Sequence, residues 1–304
     1  MPRVCILLAT YNGYKYLQEQ IESLLAQSYK DLLIVIRDDG SVDDTRKIII
    51  EYCDRYPQKV IRLEGTTNLG YPDCFWKLLE DAPEADYYAF SDQDDIWYPD
   101  KVSRAVIALN TEDDAKPKLY YHSYDICDSE GKIIDTYLPD NIKEVDIVKH
   151  FFYTYTMGFS MVINKAMRSL LLSIEPEGKE LPHDVWCILN AYYFGNVYYD
   201  KTPQAAYRRH SSTVTSSGKG YFPLIKSWLK KEIFGDAMDK LRHRVALFFG
   251  KNKEVLGADA GNKYEFFYIK GGFKYYLERL FYPRRLKDTW GGEVALRILF
   301  LLNR

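Results

Sequence analysis

Short apolar runs alternate with amphipathic stretches over the first hundred residues of the chain. The apolar runs have the composition of strands buried in a parallel sheet. They lie at Val4–Ala9, Leu32–Ile36, Val60–Leu63 and Asp86–Phe90. The amphipathic stretches have helical spacing and predict helices over residues 16–27, 42–56 and 74–79. Strands that alternate with helices predict a doubly wound α/β sheet.

After about residue 110 the alternation is less regular. The remaining predicted elements are two strands at residues 119–126 and 159–163, and helical segments at 185–193, 222–234 and 237–249. Residues 211–220 are small and polar, which is typical of a linker or a mobile loop. We therefore expect two regions: a sheet-bearing domain over residues 1–218 and a basic, aromatic helical region over residues 219–304.

The net charge of −2 is the sum of two unlike regions. Residues 219–304 contain 18 Lys and Arg against 9 Asp and Glu, whereas residues 1–218 contain 23 against 34. The acidic body argues against nucleic acid as a partner. The basic region is rich in Tyr, Phe and Trp. It predicts either contact with an anionic membrane surface or a packing element that joins copies of the chain into a homo-oligomer.

The cysteines and the apolar runs both favour a cytoplasmic protein. The 304 residues include five cysteines without a CxxC pair, which is typical of buried thiols in a reducing compartment and argues against a zinc site. The run Val4–Ala9 is too short for a signal-peptide core, and no run approaches the ~20 apolar residues of a membrane span. The basic region is the part expected to reach the inner face of the cell membrane.

Polar clusters follow each of the first four predicted strands. These clusters are Thr10–Asn12, Asp38–Ser41, Asn68–Gly70 and Asp92–Asp95. In open α/β sheets, ligands bind beyond the carboxyl ends of the strands. The four clusters therefore predict one shared site.

The acidic cluster carries the sharpest chemical signal. Residues 91–97 read SDQDDIW, and the carboxylates of Asp92, Asp94 and Asp95 repel one another unless a cation lies between them. Mg²⁺ and Mn²⁺ prefer oxygen ligands, and Mg²⁺ takes one or two carboxylates together with substrate phosphates. The alternative is a solvated acidic turn in which Asp95 caps the following helix.

Two weaker signals lie in the loops after the first and second strands. Asp39, in the run DDGS, can accept a hydrogen bond from a base imide or a ribose hydroxyl. Alternatively, it belongs to a plain turn before a helix that Ser41 or Asp43 caps. Tyr11, next to Asn12, can stack on a base or pack in the core.

Two more candidates lie later in the chain. Asp184 stands at the predicted start of a helix, where it can act as a base or as the helix N-cap. His210 follows two arginines and can ligate a metal or lie at the surface without a role. No GxGxxG, P-loop or GxSxG run occurs, so dinucleotide-binding, P-loop and serine-hydrolase chemistry are disfavoured.

Taken together, the motifs resemble glycosyltransferase family 2, whose members have the GT-A fold and use nucleotide-diphosphate sugars. The resemblance rests on the order and spacing of four runs within residues 4–110. They are LATYN at 8–12, RDDGSVDDT at 37–45, NLG at 68–70 and DQDD at 92–95, the last similar to the DXD metal motif. The fold implied is an α/β GT-A fold with a doubly wound mixed sheet and a helical C-terminal extension.

Three later residues also match the family's pattern. Gly158 resembles the glycine of a family loop, and His210 resembles a late metal-binding histidine. Asp184 matches the acidic residue on the acceptor side, although the family more often has Glu-Asp where this chain has His183-Asp184. The region 219–304 is poorly covered by the resemblance.

The resemblance implies an inverting, metal-dependent glycosyl transfer with Mg²⁺ or Mn²⁺ as cofactor. Asp94, Asp95 and His210 would hold the metal, and Asp184 would be the general base. The nucleotide sugar would be contacted by Thr10, Tyr11, Asn12, Asp39, Asn68, Gly70, Asp92 and Gly158.

Within the family, the runs SDQDDIW, HDVW and YRRH are most similar to bacterial rhamnosyltransferases of surface polysaccharide synthesis. This likeness implies dTDP-rhamnose as donor and a hydroxyl of a free or lipid-linked saccharide as acceptor, with a UDP-hexose as the alternative donor. Two other classes stay open. A sugar nucleotidyltransferase usually has a Gly-rich basic loop where this chain has Thr10–Gly13, and a non-catalytic assembly scaffold would not require the carboxylates.

Overall fold

The computed structural model describes residues 1–65, 67–110, 113, 115–138, 147–152, 156–174, 176, 181–210, 237–253, 264–269, 272–287 and 290–301. The chain divides into two units. The first comprises Met1–Glu144 and Tyr155–Ser212, and the second comprises Val145–Thr154 and Thr213–Arg304. The predicted boundary after residue 218 and the predicted loop at 211–220 lie outside the described residues. That boundary stays a prediction.

The strands and helices follow one another in the alternation that the sequence predicts. In chain order the strands are β1 (Val4–Thr10), β2 (Leu32–Asp38), β3 (Val60–Arg62), β4 (Tyr87–Ser91), β5 (Ile96–Trp97), β6 (Lys118–His122), β7 (Tyr124–Cys127), β8 (Ile133–Tyr137), β9 (Met161–Asn164), β10 (Asn196–Asp200) and β11 (Ala205–Arg208). The helices are α1 (Leu17–Leu25), α2 (Thr45–Arg55), α3 (Asp73–Asp81), α4 (Lys101–Leu109), α5 (Ile147–Phe152), α6 (Lys165–Ser173), α7 (His183–Phe194), α8 (Ala237–Lys251), α9 (Phe273–Leu280) and α10 (Trp290–Leu301).

The first unit is built on a mixed sheet whose described strands run in the order β10-β6-β9-β4-β1-β2-β3. Strands β1 to β4 pair in parallel; the apolar runs of β1, β2 and β4 are largely buried as predicted, whereas in β3 only Val60 is buried. Strand β9 lies antiparallel between β4 and β6, which makes the sheet mixed. Helix α1 covers the parallel part with Leu17, Ile21 and Leu24, all fully buried. The predicted doubly wound sheet is confirmed.

The prediction of one strand over residues 119–126 is wrong. The chain forms β6 and β7 there, and the two strands belong to different sheets. The break falls at Ser123, whose N–H donates to the Asp200 carbonyl at 2.9 Å and whose carbonyl accepts from the Gln204 N–H at 3.1 Å. Because the residues on both sides of Ser123 favour strands, the local pattern does not reveal this switch.

A smaller sheet runs in the order β5-β11-β7-β8. Strand β11 pairs antiparallel with β5, with Ala205 opposite Trp97, and parallel with β7. Strand β5 begins directly after the acidic cluster, and His210 lies two residues beyond β11. This pairing brings residues 205–210, near the end of the first unit, next to the acidic cluster.

The second unit contains helices α5, α8, α9 and α10. Aromatic side chains pack at its centre, with ring centroids 5.5 Å apart for Phe151 and Phe248 and 6.1 Å apart for Phe152 and Phe300. Arg297 donates to the carbonyls of Arg279 and Leu280, both at 2.8 Å, which joins α10 to the end of α9. The helix predicted at 237–249 is confirmed, and the segment predicted at 222–234 lies outside the described residues.

The five cysteines are free thiols, of which Cys53 is half-buried and the other four are buried. This agrees with the expectation of buried thiols. Within the described ranges, no helix combines the length and the apolar content that crossing a bilayer requires.

Candidate active site

Gln93 fastens the acidic cluster to the loop after β1. Its Oε1 accepts hydrogen bonds from the Thr10 hydroxyl at 2.6 Å and the Tyr11 N–H at 2.9 Å, and its Nε2 donates to the Tyr11 carbonyl at 3.2 Å. A Cβ at Gly13 would collide with Oε1 of Gln93 and with the Thr10 hydroxyl. The Tyr11 residue remains 48% exposed, so its ring is accessible to a base.

Asn12 connects the same loop to the segment that precedes α2. Its backbone has φ of 49°, in the left-handed region that asparagine tolerates better than most residues. Its N–H donates to Ser41 Oγ at 2.8 Å, and its Oδ1 accepts from the Val42 N–H at 2.9 Å. The Asn12 side chain thus holds two loops together. Its predicted contact with a nucleotide sugar stays a prediction.

Asp39 joins two of the polar clusters. It is 3% exposed, and its two oxygens accept the N–H groups of Leu69 at 2.9 Å and Gly70 at 2.7 Å. Gly70 has φ of 74°, which favours glycine. Arg37 lies 3.6 Å from Asp39 and balances its charge. Each carboxylate oxygen has a second lone pair, which can accept one more hydrogen bond.

The prediction that Ser41 or Asp43 caps α2 is wrong, because Asp44 occupies the N-cap position and its side chain makes no capping hydrogen bond. Helix α2 begins at Thr45, and Asp43 Oδ1 accepts the Thr45 N–H at 3.0 Å, whereas Ser41 bonds to Asp38. The turn around Asp39 is therefore fastened by Asp38 and Asp43. The carboxylate of Asp39 instead bonds to the Asn68–Gly70 turn. Two segments that are both predicted to bind the donor are therefore in contact with each other.

Asp94 and His210, two of the predicted metal ligands, lie together. Nε2 of His210 is 2.8 Å from Oδ2 of Asp94, and the two side chains are 13% and 17% exposed. A carboxylate and an imidazole suit a divalent cation that takes its other ligands from a diphosphate and from water. In the described part of the chain, no group of three or more His, Cys, Asp or Glu side chains is arranged to hold a metal.

Asp95 differs from Asp94 in its surroundings. It is 1% exposed; Oδ1 accepts the Arg208 N–H at 3.3 Å, and Oδ2 has no hydrogen-bond partner among the residues that the structure describes. Burial raises its pKa well above the ordinary value, and the nearby carboxylates Asp92 and Asp94 add to this. The alternative that Asp95 caps α4 is wrong, because α4 begins at Lys101 with Asp100 at its N-cap.

The pKa of Asp92 responds to charges on two sides of the predicted site, those of Asp94 and Asp184. Burial raises its pKa to about 7, and the charges of Asp94 and Asp184 contribute, while Lys101 opposes the shift. Lys101 is fully buried, and its Nζ donates to the Phe159 carbonyl at 2.5 Å. Burial lowers the pKa of Lys101 well below its ordinary value, and the charges of Asp95 and Asp92 oppose this shift.

Asp184 lies in the first turn of α7 and is 8% exposed. Its Oδ1 accepts the N–H of Val185 at 2.8 Å. Burial, and after it the charge of Asp184, raises the pKa of the Tyr71 hydroxyl. Pro182 occupies the N-cap position of α7, so the alternative that Asp184 is the N-cap is wrong. The charge of Asp184 contributes to the raised pKa of Asp92.

The ring of His183 lies so close to residue 158 that only glycine fits there. The His183 ring stacks on Phe75 with centroids 4.2 Å apart and lies 4.8 Å from Phe90. Burial lowers its pKa to about 3, so the imidazole is neutral near pH 7. A Cβ at Gly158 would lie 2.5 Å from Nε2 of His183, which is too close. The predicted glycine loop therefore packs directly against the residue that precedes Asp184.

Sequence reasoning missed Gln93 and gave Arg208 no specific role. Arg208 is 2% exposed, and its Nε donates to the Asp94 carbonyl at 3.0 Å while its Nη1 donates to the Ser129 carbonyl at 3.1 Å. Its guanidinium also pairs with Glu19. Both residues stand inside motifs that the sequence analysis identified, but their partners are too distant in sequence to be inferred. Asn68 is exposed in the turn whose Leu69 and Gly70 N–H groups bond to Asp39, and its contact with the donor stays a prediction.

Solved structures share the fold of this chain. The crystal structure of S. aureus TarS 1–349 in complex with UDP-GlcNAc has a TM-score of 0.57 at 15% identity and covers 99% of this chain and 89% of that one. The mannosyltransferase PcManGT from Pyrobaculum calidifontis, in complex with GDP-Man and Mn²⁺, has a TM-score of 0.51 at 14% identity, covering 99% and 86%. The fold is that of the GT-A glycosyltransferases.

The family is shown by the sequence. The family Glycosyl transferase family 2 matches residues 5–167, and the chain belongs to it. It is therefore a member of an enzyme family, as the motifs predict. The predicted family and fold are confirmed.

Relatives of the chain are similar over parts of their length. An uncharacterized glycosyltransferase of Rickettsia felis is 31% identical over 147 residues, which cover 48% of this chain and 23% of that protein. The dTDP-rhamnosyl transferase RfbG of Shigella flexneri is 39% identical over 105 residues, covering 34% and 36%. An uncharacterized glycosyltransferase of Rickettsia prowazekii is 26% identical and covers 76% and 72%. The chain thus spans about a quarter of the first of these relatives.

Proposed function

We propose that the protein is an inverting glycosyltransferase that moves a sugar from a nucleoside diphosphate to a hydroxyl of a bacterial surface saccharide. The observation that carries the proposal is the arrangement of carboxylates around Asp92. The Asp94–His210 pair suits a diphosphate-bound cation, and Asp184 suits proton removal from an acceptor. The pKa of Asp92 is raised by burial and by the charges of both Asp94 and Asp184.

Transfer requires one bond to form as another breaks. Asp184 takes the proton of the acceptor hydroxyl, whose oxygen attacks the anomeric carbon, and the electron pair of the sugar–phosphate bond leaves with the nucleoside diphosphate. A positioned general base contributes typically 10²–10⁴-fold to such a step. A divalent cation, when bound by Asp94 and His210 with Asp95 nearby, supplies charge stabilisation for the leaving diphosphate. Direct displacement inverts the anomeric configuration.

The donor side is assigned to the loops that Gln93 and Asp39 hold. In the proposal, the exposed ring of Tyr11 stacks on the base and Asp39 accepts its N–H. Asp92 lies near the ribose, and Gly158 contacts the sugar through its backbone. In the proposal, the remaining contacts with the nucleotide sugar come from backbone and side-chain atoms of Thr10, Asn12, Asn68 and Gly70.

For the donor we propose dTDP-rhamnose. The partial likeness to the dTDP-rhamnosyl transferase RfbG supports it, together with the runs SDQDDIW and HDVW. A UDP-hexose is the second candidate, because TarS, which shares the fold, is in complex with UDP-GlcNAc. The acceptor is proposed to be a free or lipid-linked saccharide at the cytoplasmic face of the membrane.

Thermal unfolding with dTDP, UDP, GDP and CMP, each with Mn²⁺, Mg²⁺ or EDTA, tests the proposal. A ligand at a hundredfold excess over its Kd stabilises the native state by about 2.7 kcal/mol. A metal-dependent shift with dTDP supports the proposed donor. A shift with UDP alone replaces rhamnose by a UDP-hexose, and no shift with any nucleotide favours a non-catalytic scaffold. Pyrophosphate release from a nucleoside triphosphate and a sugar phosphate would instead favour a nucleotidyltransferase.

For the second unit we propose contact with an anionic membrane surface. One face of α10 exposes Trp290, Val294, Ile298 and Leu301, which recur at helical spacing. A groove of ≈ 470 Å³ along this face is also lined by Arg284 and Arg285. Apolar side chains flanked by arginines complement anionic headgroups.

Liposome co-sedimentation tests the membrane proposal. The protein should bind vesicles that contain phosphatidylglycerol, and it should not bind phosphatidylcholine vesicles. Val294→Glu should abolish binding, whereas Ile107→Glu, at an equally apolar residue that is 76% exposed on α4, should not. If Val294→Glu dissociates an oligomer and vesicle binding is absent, the face is an interface between copies of the chain.

A further inference from the structure

Tyr16 lies at the start of α1 and contacts both His210 and Arg208. Its ring centroid is 4.9 Å from the centroid of the His210 ring, and the two ring planes are inclined at 35°. The guanidinium carbon of Arg208 lies 4.7 Å from the same Tyr16 centroid. Tyr16 is also the N-cap residue of α1, and its N–H donates to the Gly13 carbonyl at 3.0 Å. One aromatic ring therefore joins α1 to the segment that carries the proposed metal-binding histidine.

The guanidinium that lies over the Tyr16 ring is itself fixed by buried contacts. Arg208 is 2% exposed, and its Nε donates to the Asp94 carbonyl at 3.0 Å. Its Nη2 pairs with Glu19 in the first turn of α1. An arginine over an aromatic face is a favourable contact. The position of the Tyr16 ring is therefore set both by its own helix and by a buried side chain of β11.

Strand pairing places the backbone near His210 but does not by itself orient the imidazole. Strand β11 ends at Arg208, and the Arg209 N–H donates to the Cys127 carbonyl at 2.8 Å. A histidine ring rotates about its own side-chain bonds, so its direction depends on what it contacts. The imidazole contacts the Tyr16 ring, and its Nε2 lies 2.8 Å from Oδ2 of Asp94.

We propose that Tyr16 is a positioning residue that holds the His210 imidazole in the orientation in which Nε2 can ligate a cation together with Asp94. The inference rests on the proposed metal site of Asp94 and His210. Metal-binding imidazoles are generally oriented by neighbouring groups that do not bind the metal themselves.

The ring of Tyr16 makes the contact, and the hydroxyl does not. The Tyr16 hydroxyl oxygen is buried, and it has no hydrogen-bond partner among the residues that the structure describes. Phenylalanine would therefore keep the surface that His210 and Arg208 contact. Leucine has no planar surface and would lose it.

The test measures how much Mn²⁺ contributes to nucleotide binding. The Kd values of dTDP, UDP, GDP and CMP are measured by isothermal titration calorimetry, once with Mn²⁺ and once with EDTA. The ratio of the Kd with EDTA to the Kd with Mn²⁺ gives the contribution of the metal, and it requires neither a sugar nor an acceptor. A change that affects only the nucleotide-binding loops shifts both Kd values equally and leaves the ratio the same.

For Tyr16→Leu we expect the ratio to fall about tenfold, as is typical when a group that orients a metal ligand is removed. Tyr16→Phe should keep the ratio of the unmodified protein. Tyr56→Leu is the matched control, because Tyr56 also has an arginine next to its ring, Arg55 at 5.8 Å, but lies at the C-terminal end of α2. It should leave the ratio unchanged.

A second comparison determines whether Tyr16 acts through His210. His210→Ala should lower the ratio, and adding Tyr16→Leu to it should cause no further fall, because no imidazole is left to orient. A further fall in the double variant would overturn the inference. Thermal unfolding without nucleotide shows that each variant is folded, and Tyr16→Met replaces Tyr16→Leu if the leucine variant is not.

The outcomes separate this inference from the proposed function. If Mn²⁺ changes the Kd of no nucleotide in the unmodified protein, the proposed metal site fails and the inference fails with it. If Mn²⁺ lowers the Kd and Tyr16→Leu keeps the full ratio, only the role of Tyr16 is overturned. If Tyr16→Phe loses as much as Tyr16→Leu, the hydroxyl is responsible, and positioning by the ring is overturned.

Discussion

Oδ2 of Asp94 lies 2.8 Å from Nε2 of His210, although 116 residues separate them in the chain. The β5–β11 pair brings them together, because β5 follows Asp94 closely and β11 precedes His210. Arg208, the last residue of β11, then fastens the Asp94 carbonyl through its Nε at 3.0 Å. The proximity is thus set by backbone pairing and stabilised by a buried guanidinium.

Removing the Asp94 carboxylate should abolish metal-dependent nucleotide binding. In Asp94→Ala, we expect the extra thermal stabilisation by dTDP or UDP with Mn²⁺, about 2.7 kcal/mol at a hundredfold excess over Kd, to disappear together with turnover. Asp54→Ala, at an exposed position of α2, is the control and should keep both. Unchanged metal dependence in Asp94→Ala would place the metal ligand elsewhere.

Asp184→Asn should separate binding from transfer. The amide has nearly the size of the carboxylate but cannot take a proton, so we expect nucleotide binding to be kept and turnover to fall by about 10²–10⁴-fold. Binding is followed by thermal shift with the nucleotide and Mn²⁺, and turnover by nucleoside diphosphate release. Near-normal turnover would remove Asp184 from the role of base.

Gln93→Ala should loosen the donor loop without touching the proposed metal ligands. The change leaves the buried Thr10 hydroxyl without its acceptor at 2.6 Å, which should cost about 1–3 kcal/mol of unfolding free energy. Because the backbone of Tyr11 is also released, the Kd of the nucleotide should rise about tenfold. Gln18→Ala, at an exposed glutamine of α1, should change neither chemical denaturation nor nucleotide binding. Equal behaviour of the two variants would contradict the role of Gln93.

Alanine at Gly158 should be destabilising, whereas alanine at Gly250 should not. At Gly158 the new Cβ would lie 2.5 Å from Nε2 of His183, so overpacking should cost about 1–3 kcal/mol and displace the neighbouring Asp184. Gly250 lies in α8, and no atom of the described residues outside its own turn of helix lies within 4 Å of the place that a Cβ would take. Alanine there should stabilise the helix by about 0.5–1 kcal/mol. Chemical denaturation measures both, and a neutral Gly158→Ala would disprove the close packing.

The contribution of buried neutral His183 to the stability of the fold should decrease in mild acid. Burial lowers the His183 pKa from 6.5 to about 3, so between these values the unfolded chain binds a proton that the native state does not. Stability is then fully present above pH 6.5 and falls as pH decreases toward 3, by up to about 1.4 kcal/mol per pH unit. Asp92, whose pKa is raised to about 7, acts in the opposite direction.

The difference between the unmodified protein and His183→Phe isolates the contribution of this histidine. Since Asp92 is present in both, its opposing effect cancels. We expect the free energy of unfolding of His183→Phe to depend less steeply on pH between about 6.5 and 4.5, as measured by denaturation at each pH. Identical slopes would show that His183 is protonated in the native state.

The sequence predicts the part of the fold that local patterns control. The apolar runs of β1 to β4 and the spacing of Leu17, Ile21 and Leu24 in α1 are sufficient to predict buried strands and an amphipathic helix, and both are observed. The break at Ser123 is not predictable in this way, since the residues around it all favour strands. Only the partners Asp200 and Gln204, far along the chain, make Ser123 the point where the chain changes sheets.

In the candidate site, too, local sequence patterns predict which residues matter but not which residues they contact. The residue types and spacing in SDQDDIW identify Asp94 as a metal ligand candidate, and the turn residues of DDGS identify Asp39. What those side chains contact depends on long-range packing. Asp39 accepts from Leu69 and Gly70, and Gln93 accepts from Thr10 and Tyr11, and neither set of bonds has a local signal in the sequence.

Because β5 pairs with β11, the effect of an insertion or deletion on the distance between Asp94 and His210 depends on where in the chain it falls. The chain leaves the acidic cluster at Trp97 and returns at Ala205, directly opposite it. Insertions or deletions in the excursion over residues 98–204 leave the distance between Asp94 and His210 unchanged as long as this pair of strands forms. A single residue inserted between Arg208 and His210 would carry the imidazole away from the carboxylate. The segment over residues 98–204 can therefore vary in length without changing the proposed cation site, whereas the segment of residues 208–210 cannot.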